Sequence, residues 1–163
     1  GRTWVLQGPV ALNQSTTGSV NDYSPHYLVG EDAGDESGFA VANAGDINAD
    51  GYEDLLVGAP GEAAAYLFYA NTGWSGTIDL SAASAKLSGH HTRTGLTVAP
   101  AGDATGDGID DLLVGGRNGV TLVAGGFVSS GPLSSTGHAQ LVGASRIGAA
   151  VATGDADGDG HLD

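Results

Sequence analysis

The 163-residue sequence contains no cysteine and no methionine, and only five of its residues are lysine or arginine. Without cysteine, the chain forms no disulfide bond and offers no thiolate as a nucleophile or zinc ligand. Neither a Gly-x-Ser-x-Gly nor a His-Glu-x-x-His motif occurs. The sequence therefore lacks the usual signatures of a serine nucleophile and of a zinc protease.

Positive charge and long apolar segments are also scarce. Nineteen acidic residues give a net charge of −14, which disfavours binding to nucleic acid or to anionic membranes through bulk charge. No apolar run is long enough to cross a membrane, and no leader peptide or initiating methionine is present, so we interpret the chain as a mature or excised segment. We expect neither a nucleic-acid partner nor membrane insertion.

Acidic residues are instead concentrated in three copies of one nine-residue pattern. The copies are Asp46-Ile-Asn48-Ala-Asp50-Gly51-Tyr52-Glu-Asp54 (loop 1), Asp103-Ala-Thr105-Gly-Asp107-Gly108-Ile109-Asp-Asp111 (loop 2) and Asp155-Ala-Asp157-Gly-Asp159-Gly160-His161-Leu-Asp163 (loop 3). Side-chain oxygens at positions 1, 3, 5 and 9, with a backbone carbonyl at position 7, form the hard-oxygen shell that calcium prefers. Glycine at position 6 allows the sharp turn around the ion. The pattern predicts two to three bound Ca²⁺ ions.

Each loop would use side chains at four positions and a carbonyl at the fifth. The expected ligands are Asp46, Asn48, Asp50, Asp54 and the Tyr52 carbonyl; Asp103, Thr105, Asp107, Asp111 and the Ile109 carbonyl; and Asp155, Asp157, Asp159, Asp163 and the His161 carbonyl. Because ligand charge and number tune affinity, we expect loops 1 and 3 to bind more tightly than loop 2, where Thr105 replaces a stronger ligand.

Two other structures share part of this pattern. Asp, Asn and Gly are common in plain turns, but three carboxylates within nine residues repel one another unless a cation is present. An EF-hand carries a bidentate Glu at position 12, followed by a helix. Here position 12 is Val57 in one loop and Val114 in the next, each within a short apolar run. Those runs predict buried strands, which places each metal loop in a strand-to-strand hairpin.

The repeat extends beyond the loops, which begin 57 and then 52 residues apart. A Leu-x-Gly element and a short strand precede each loop, and Gly119–Val123 resembles Gly1–Val5 as a third strand of the unit. This period is typical of propellers and solenoids. No segment of ten or more residues has helical periodicity, and 29 glycines disfavour helix.

The repeat resembles the FG-GAP repeat, also called the integrin-α N-terminal or VCBS-type repeat. That family has a Phe-Gly strand, an Asp-rich calcium loop and a Gly-Ala-Pro turn in each β-propeller blade. In place of Phe-Gly, this sequence has Ser37-Gly38, Thr94-Gly95 and Ile147-Gly148. The Gly-Ala-Pro element is intact only at Gly58-Ala59-Pro60 and becomes Gly115-Gly116 in the second copy.

The resemblance implies an all-β fold, a partial β-propeller of about three four-stranded antiparallel blades with calcium-binding loops between strands. Residues 1–29 would supply the outer strands of one blade, 30–87 and 88–142 two full blades, and 143–163 the first strand and loop of the next. We expect such an arc to be completed by remaining blades of the same polypeptide or by other chains.

The resemblance also implies a calcium-binding, non-catalytic binding or adhesion scaffold, extracellular or at the cell surface, with a protein or glycan ligand. The alternative is the propeller portion of a secreted lyase or hydrolase that acts on polysaccharide. The acidic run Glu31, Asp32, Asp35, Glu36 and the pair His90-His91 are the residues that could serve such an enzyme. Two free carboxylates in a pocket beside the histidines would favour the enzyme, so catalysis stays open while the sequence favours a scaffold.

Overall fold

A computed structural model describes residues 1–5, 26–70, 76–126, 128–137, 139–143, 146–156 and 158. Within these residues the chain forms twelve β-strands and two helices of a single turn. The strands are β1 Arg2–Val5, β2 His26–Val29, β3 Ala40–Gly45, β4 Asp54–Ala59, β5 Ala64–Phe68, β6 Thr77–Asp79, β7 Ala85–Ser88, β8 Thr97–Gly102, β9 Asp111–Gly116, β10 Gly119–Val123, β11 Gly131–Pro132 and β12 Ala139–Val142. A 3₁₀ turn, Leu80–Ala82, precedes β7, and helix α1, Leu133–Thr136, precedes β12.

Two four-stranded antiparallel units form the centre of the structure. In the first unit the order is β3-β4-β5-β7, and in the second it is β8-β9-β10-β12. A third sheet contains β1, β2 and β6. The first three strands of each unit follow one another along the chain, as expected where short hairpins connect them, whereas β6 or β11 intervenes before the fourth strand. The predicted all-β class with four-stranded antiparallel sheets is confirmed, and over the described residues the sheets do not close into a ring.

The first unit is buried on both faces. Leu56 and Leu67 pack with Leu112 of the second unit in one apolar cluster. Val57 follows Leu56 on β4, and Tyr66 precedes Leu67 on β5. Both pack with the third sheet in another apolar cluster. Because side chains alternate between the faces of a strand, a central strand must be apolar at consecutive positions. This requirement explains the uninterrupted Leu-Leu-Val runs of the sequence.

Glycine recurs in each Phe-Gly-like element because the backbone there is left-handed. Gly38, Gly95 and Gly148 have φ values of 79°, 84° and 85°. A Cβ on Gly95 would also collide with the Ala64 carbonyl oxygen of the first unit. The glycine of each Phe-Gly-like element therefore sets both the turn and the close approach of adjacent sheets.

Short segments link each sheet to the next in a way that the sequence analysis missed. β6 pairs in parallel with β2, and β11 pairs in parallel with β7. The turn after each segment carries a fully buried leucine, Leu80 or Leu133. We call these segments, residues 77–82 and 131–136, clasps. Their sequence signal is a leucine followed by Ser, five or six residues before an outer strand, and it is too short to recognise alone.

No helix among the described residues is long and apolar enough to span a membrane.

Candidate metal loops

Loops 1 and 2 occupy equivalent places at the same end of the two central units. Loop 1 joins β3 to β4, and loop 2 joins β8 to β9, so both lie in antiparallel hairpins as the sequence predicts. The pairing register shifts between Asn43 and Gly45 and again between Pro100 and Gly102. Such a bulge bends the strand end and reorients the residues that follow. The two inner strands therefore enter their loops with the same geometry.

The acidic side chains of loop 1 organise its backbone. Asp46 accepts hydrogen bonds from the amides of Asp50 at 2.9 Å and Gly51 at 2.8 Å. Asp50 accepts one from the Tyr52 amide at 3.0 Å, and Asn48 Oδ1 accepts one from the Asp50 amide at 3.1 Å. These Asx-type bonds wrap the backbone around the side-chain oxygens.

Loop 2 repeats this network. Asp103 accepts from the amides of Asp107 at 2.9 Å and Gly108 at 2.8 Å. Asp107 accepts from the Ile109 amide at 2.9 Å. Positions 1 and 5 thus have the same partners in both loops, which shows that the repeat is conformational as well as sequential.

The position-9 carboxylates are buried and tie each loop to the strands beside it. Asp54 accepts from the amides of Ile47 at 3.1 Å and Ala70 at 2.7 Å. Asp111 accepts from the amides of Thr105 and Gly125, both at 2.8 Å. Each of these carboxylates therefore satisfies one amide of its own loop and one amide beyond the third strand of its sheet.

Negative charge at Asp54 is only partly compensated. Burial raises the pKa of Asp54; the hydrogen bonds from Ala70 and Ile47 oppose that rise, and the nearby carboxylates of Asp50 and Asp46 add to it. A carboxylate that is both desolvated and close to like charges is stabilised by a nearby cation.

The donor set fits a hard divalent cation. Each hydrogen-bonded carboxylate oxygen retains a second lone pair for a metal. The Thr105 hydroxyl oxygen, at position 3 of loop 2, is buried and has no hydrogen-bond partner in the described part of the chain. Over the same residues, no three Asp, Glu or His side chains converge as a ready-made metal group. Binding would therefore draw the loop oxygens together, with Asn48 or Thr105 and a backbone carbonyl completing the shell.

Loop 3 is described only at its beginning. Asp155 accepts a hydrogen bond from the Gly158 amide at 2.6 Å. The other predicted ligands of this loop, Asp157, Asp159, His161 and Asp163, lie outside the described residues.

A contact between loops 1 and 2 was missed by sequence reasoning. Asp110 Oδ2 accepts a hydrogen bond from the Asp46 amide at 2.9 Å, and the Gly126 amide donates to the Ile47 carbonyl at 2.7 Å. Position 8 of one loop therefore contacts position 1 of the other. The nine-residue pattern places no requirement on position 8, so only the packing of adjacent sheets reveals this role.

The acidic run that could serve an enzyme is engaged in separate contacts. Glu31 lies 2.9 Å from Lys86 Nζ, and Glu36 forms an ion pair with Arg93. Asp35 is buried; its Oδ1 accepts from the Ser37 amide at 3.0 Å, while its Oδ2 has no partner among the described residues.

The histidine pair is not placed against these carboxylates. His91 is buried, with its Nε2 atom 3.1 Å from the Thr121 hydroxyl oxygen. His90 is exposed and packs edge-on against the His91 ring. Burial lowers the pKa of His91, and the adjacent His90 adds to that effect. In the part of the chain that the structure describes, neither histidine forms a hydrogen bond or an ion pair with a carboxylate of the acidic run.

Comparison with known proteins places these features in a family. A model of the FG-GAP repeat matches residues 37–78, and a model of the FG-GAP-like repeat matches residues 103–163. The chain is 34% identical over 95 residues to integrin alpha pat-2 of Caenorhabditis briggsae. It is 37% identical over 98 residues to integrin alpha-E of Mus musculus and 37% identical over 92 residues to integrin alpha-D of Homo sapiens.

These alignments cover 54%, 53% and 53% of this chain, respectively, but only 8% of each relative. The chain therefore corresponds to a small part of the curated relatives that it matches. The first match covers β3, loop 1, β4 and β5, and the second begins at loop 2, covers β9, β10 and β12, and extends to residue 163. On this ground, the chain belongs to the FG-GAP repeat family.

Proposed function

We propose that this chain is a calcium-stabilised segment of an extracellular β-propeller that acts as a non-catalytic binding or adhesion scaffold. The observation that carries the proposal is the repetition of one hydrogen-bonded acidic loop at the same end of two consecutive four-stranded units. The similarity to integrin α chains supports an adhesion role and a location outside the cell.

In this proposal each four-stranded unit is one blade. Residues 30–87 and 88–142 form two complete blades, residues 1–29 supply outer strands of a preceding blade, and residues 143–163 begin the next. The clasps support this assignment, because each clasp joins the outer strand of one unit to the unit that follows.

Calcium would be held by the ligand sets predicted from the sequence. In loop 1 these are the side chains of Asp46, Asn48, Asp50 and Asp54 with the Tyr52 carbonyl. In loop 2, Asp103, Thr105, Asp107 and Asp111 would act with the Ile109 carbonyl, and in loop 3, Asp155, Asp157, Asp159 and Asp163 would act with the His161 carbonyl. The bound ion offsets carboxylate repulsion, while the residues themselves set the loop conformation through their amide contacts.

The second unit presents an apolar face where a further blade would pack. A cavity of about 510 Å³ lies over this face and is lined mainly by apolar residues, including Leu113, Leu122 and Leu141. Leu141 is 64% exposed and Val142 is 57% exposed on the outer strand β12. The corresponding strands β2 and β7 are each paired by a clasp. Blades from the same polypeptide or from other chains would cover this surface.

Terbium luminescence tests calcium binding at individual loops. Tb³⁺ commonly occupies calcium sites, and loop 1 carries a tyrosine at position 7 where loop 2 carries Ile109. We expect Tb³⁺ emission excited through tyrosine to be displaced by Ca²⁺ and to fall in the Tyr52→Phe variant, whose carbonyl ligand is unchanged.

Asp46→Asn should weaken binding at loop 1, and Asp103→Asn should weaken it at loop 2. Asp32→Asn removes the same charge outside the loops and serves as the control. Affinities equal to those of the control in both loop variants would contradict the proposed sites. Saturation of loop 2 before loop 1 would contradict the predicted order of affinity.

A further inference from the structure

Three of the five basic residues of this acidic chain line one cavity. Arg93, Arg117 and Arg146 surround a volume of about 760 Å³, together with Phe39, Leu96 and Asn118. We propose that this cavity binds an acidic peptide segment of a partner protein, with a carboxylate held by the arginines and an apolar side chain against Phe39 and Leu96. This inference rests on the proposed binding role, to which it adds the chemical class of the ligand.

The cavity lies at the opposite end of the sheets from the calcium loops. Loops 1 and 2 follow the inner strands β3 and β8, whereas the cavity residues come from the segments that precede those strands, from the β9–β10 turn and from residues 146–149 after β12. Because adjacent strands are antiparallel, these connections gather at the other end of each unit. Occupying the cavity therefore requires no loop ligand.

Backbone contacts hold the arginine-bearing segments together. The Arg117 amide donates to the Thr92 carbonyl at 2.8 Å, and the Thr92 amide donates to Asn118 Oδ1 at 2.8 Å. The Gly143 amide donates to the Asn118 carbonyl at 3.0 Å. These bonds fix three separate segments around the cavity and reduce the conformational cost of binding.

Two of the arginines occupy equivalent, unfavourable backbone positions. Arg93 and Arg146 each stand two residues before the glycine of a Phe-Gly-like element, with φ values of 57° and 58°. A left-handed conformation is costly for a residue with a long side chain, and glycine or asparagine would adopt it more easily. The backbone of these connections thus directs two guanidinium groups toward the same cavity.

The positive charge of the cavity is only partly compensated. Arg93 pairs with Glu36, but Arg117 and Arg146 have no carboxylate partner in the described part of the chain. No Asp or Glu is among the described residues that line the cavity. A guanidinium offers paired N–H donors that match the two oxygens of a carboxylate. The ligand group that best matches this site is therefore a carboxylate, whose two coplanar oxygens can each accept a hydrogen bond from a guanidinium.

The cavity also has an apolar side. Phe39 is 58% exposed, and the Arg93 guanidinium carbon lies 5.8 Å from the centroid of its ring. Leu96 lines the same space. An exposed aromatic ring beside a cationic cluster suits a ligand in which an apolar side chain adjoins a carboxylate.

The distribution of charge favours a short acidic segment over an extended polyanion. Glu31, Asp32 and Glu62 lie at the same end of the neighbouring unit, and the whole chain carries a net charge of −14. Charges closer than the Debye length, about 8 Å at physiological salt, are only partly screened, so these carboxylates would repel an extended polyanion, such as a sulfated glycan, that reaches past the cavity. A peptide with one or two carboxylates avoids that repulsion.

Peptide binding to the 163-residue chain at saturating calcium tests this proposal. The probe is a capped, fluorescein-labelled Gly-Leu-Glu-Leu-Gly peptide, and its Gln counterpart serves as the matched neutral probe. We expect the Glu peptide to bind at least about 5-fold more tightly, since charge-assisted hydrogen bonds are the stronger class. Arg117→Gln and Arg146→Gln should each weaken binding of the Glu peptide by about 5- to 10-fold.

Arg2→Gln is the control, because it removes one of the five basic charges at a side chain that lies over the Tyr27 ring and is not among the described residues lining the cavity. Arg117→Lys retains charge without the paired donors and should bind with intermediate affinity. Equal affinity for the Glu and Gln peptides, or equal weakening by Arg2→Gln, would overturn the proposal. Tighter binding of a heparin hexasaccharide that is lost in the same cavity variants would overturn the peptide assignment.

The outcome is separable from calcium binding. The peptide measurement compares variants that all retain the three loops, whereas the proposed calcium sites are tested by Tb³⁺ and Ca²⁺ titration. A chain that binds calcium without discriminating the peptides refutes only this inference. A chain that discriminates the peptides without binding calcium refutes only the proposed metal sites.

Discussion

At the residue scale, the position-9 aspartates have a structural role that is independent of metal. Asp111 is fully buried and accepts hydrogen bonds from the Thr105 and Gly125 amides. Its replacement leaves two backbone donors without their acceptor, and a buried donor without a partner costs about 1–3 kcal/mol. Asp111 therefore stabilises the hairpin without any contribution from a metal ion.

We predict that Asp111→Ala lowers the free energy of unfolding by about 2–4 kcal/mol in the presence of chelator. Urea denaturation of the calcium-free protein measures this loss without a contribution from metal affinity. Asp32→Ala, which truncates an exposed aspartate outside the loops, is the control. Equal stability of the two variants would show that the observed amide contacts contribute nothing.

His91 is the second residue whose environment makes a testable prediction. Its pKa is lowered by burial and by His90, so protonation favours the unfolded chain. The contribution of His91 is fully present above the unfolded pKa of about 6.5 and is lost as the pH falls below that value. The Thr121 hydroxyl group, which lies 3.1 Å from the imidazole Nε2 atom, carries no charge to offset the proton.

We expect the unfolding free energy at saturating calcium to decrease between pH ~6.5 and ~5, and His91→Gln to reduce that slope. His90→Gln, which changes the exposed neighbour, should retain most of the slope. Chemical denaturation at several pH values provides the measurement. An identical pH dependence of stability in the wild type and in His91→Gln would show that other groups, not His91, cause the loss of stability.

At the element scale, the hairpins around the loops were predictable and the clasps were not. The Leu-Leu-Val runs predict buried strands. Successive side chains of a strand point to opposite faces, so a sheet that is buried on both faces requires apolar residues at consecutive positions. The Asp/Gly spacing locates the turns, since few other arrangements require those residue types. By contrast, β6 and β11 contain three and two residues, respectively, too few to show a periodic pattern.

Part of the candidate site also depends on packing between elements. Nothing in the nine-residue pattern indicates that Asp110 contacts the Asp46 amide of the preceding loop. Likewise, Arg93, Arg117 and Arg146 are scattered in sequence and meet only because antiparallel connections gather at one end of the sheets. Sequence spacing identifies local ligand sets, whereas sites assembled from several connections require the fold.

The buried leucines of the clasps make the third prediction. Leu80→Ala and Leu133→Ala should each lower the unfolding free energy by about 2–4 kcal/mol, because each leucine is fully buried in an apolar cluster between sheets. Leu141→Ala is a matched control, since the same truncation occurs on the exposed strand β12. A loss no larger than that of the control would show that the clasps do not stabilise adjacent units.

At the scale of the whole molecule, the fourth prediction concerns association. The exposed apolar residues of β12 and the cavity beside them form a surface that a further blade would cover. We expect the isolated 163-residue chain to associate at micromolar concentration into species larger than its 16.0 kDa mass.

Light scattering measures the mass, and Leu141→Glu should reduce association by placing a charge on this surface. Asp32→Asn lies at a distance from the surface and should leave association unchanged. A well-folded, non-associating 16.0 kDa monomer would contradict the proposed completion by further blades.

Thermal unfolding with and without calcium tests the central claim, that the repeated acidic loops stabilise a propeller scaffold by binding Ca²⁺. At a free calcium concentration of about 100 times Kd, one site contributes about 2.7 kcal/mol to stability. We predict a substantially higher melting temperature in calcium than in chelator, with the difference reduced in the Asp46→Asn, Asp103→Asn double variant, which keeps loop 3, and fully retained in Asp32→Asn. A melting temperature that is the same in calcium and in chelator would contradict the account.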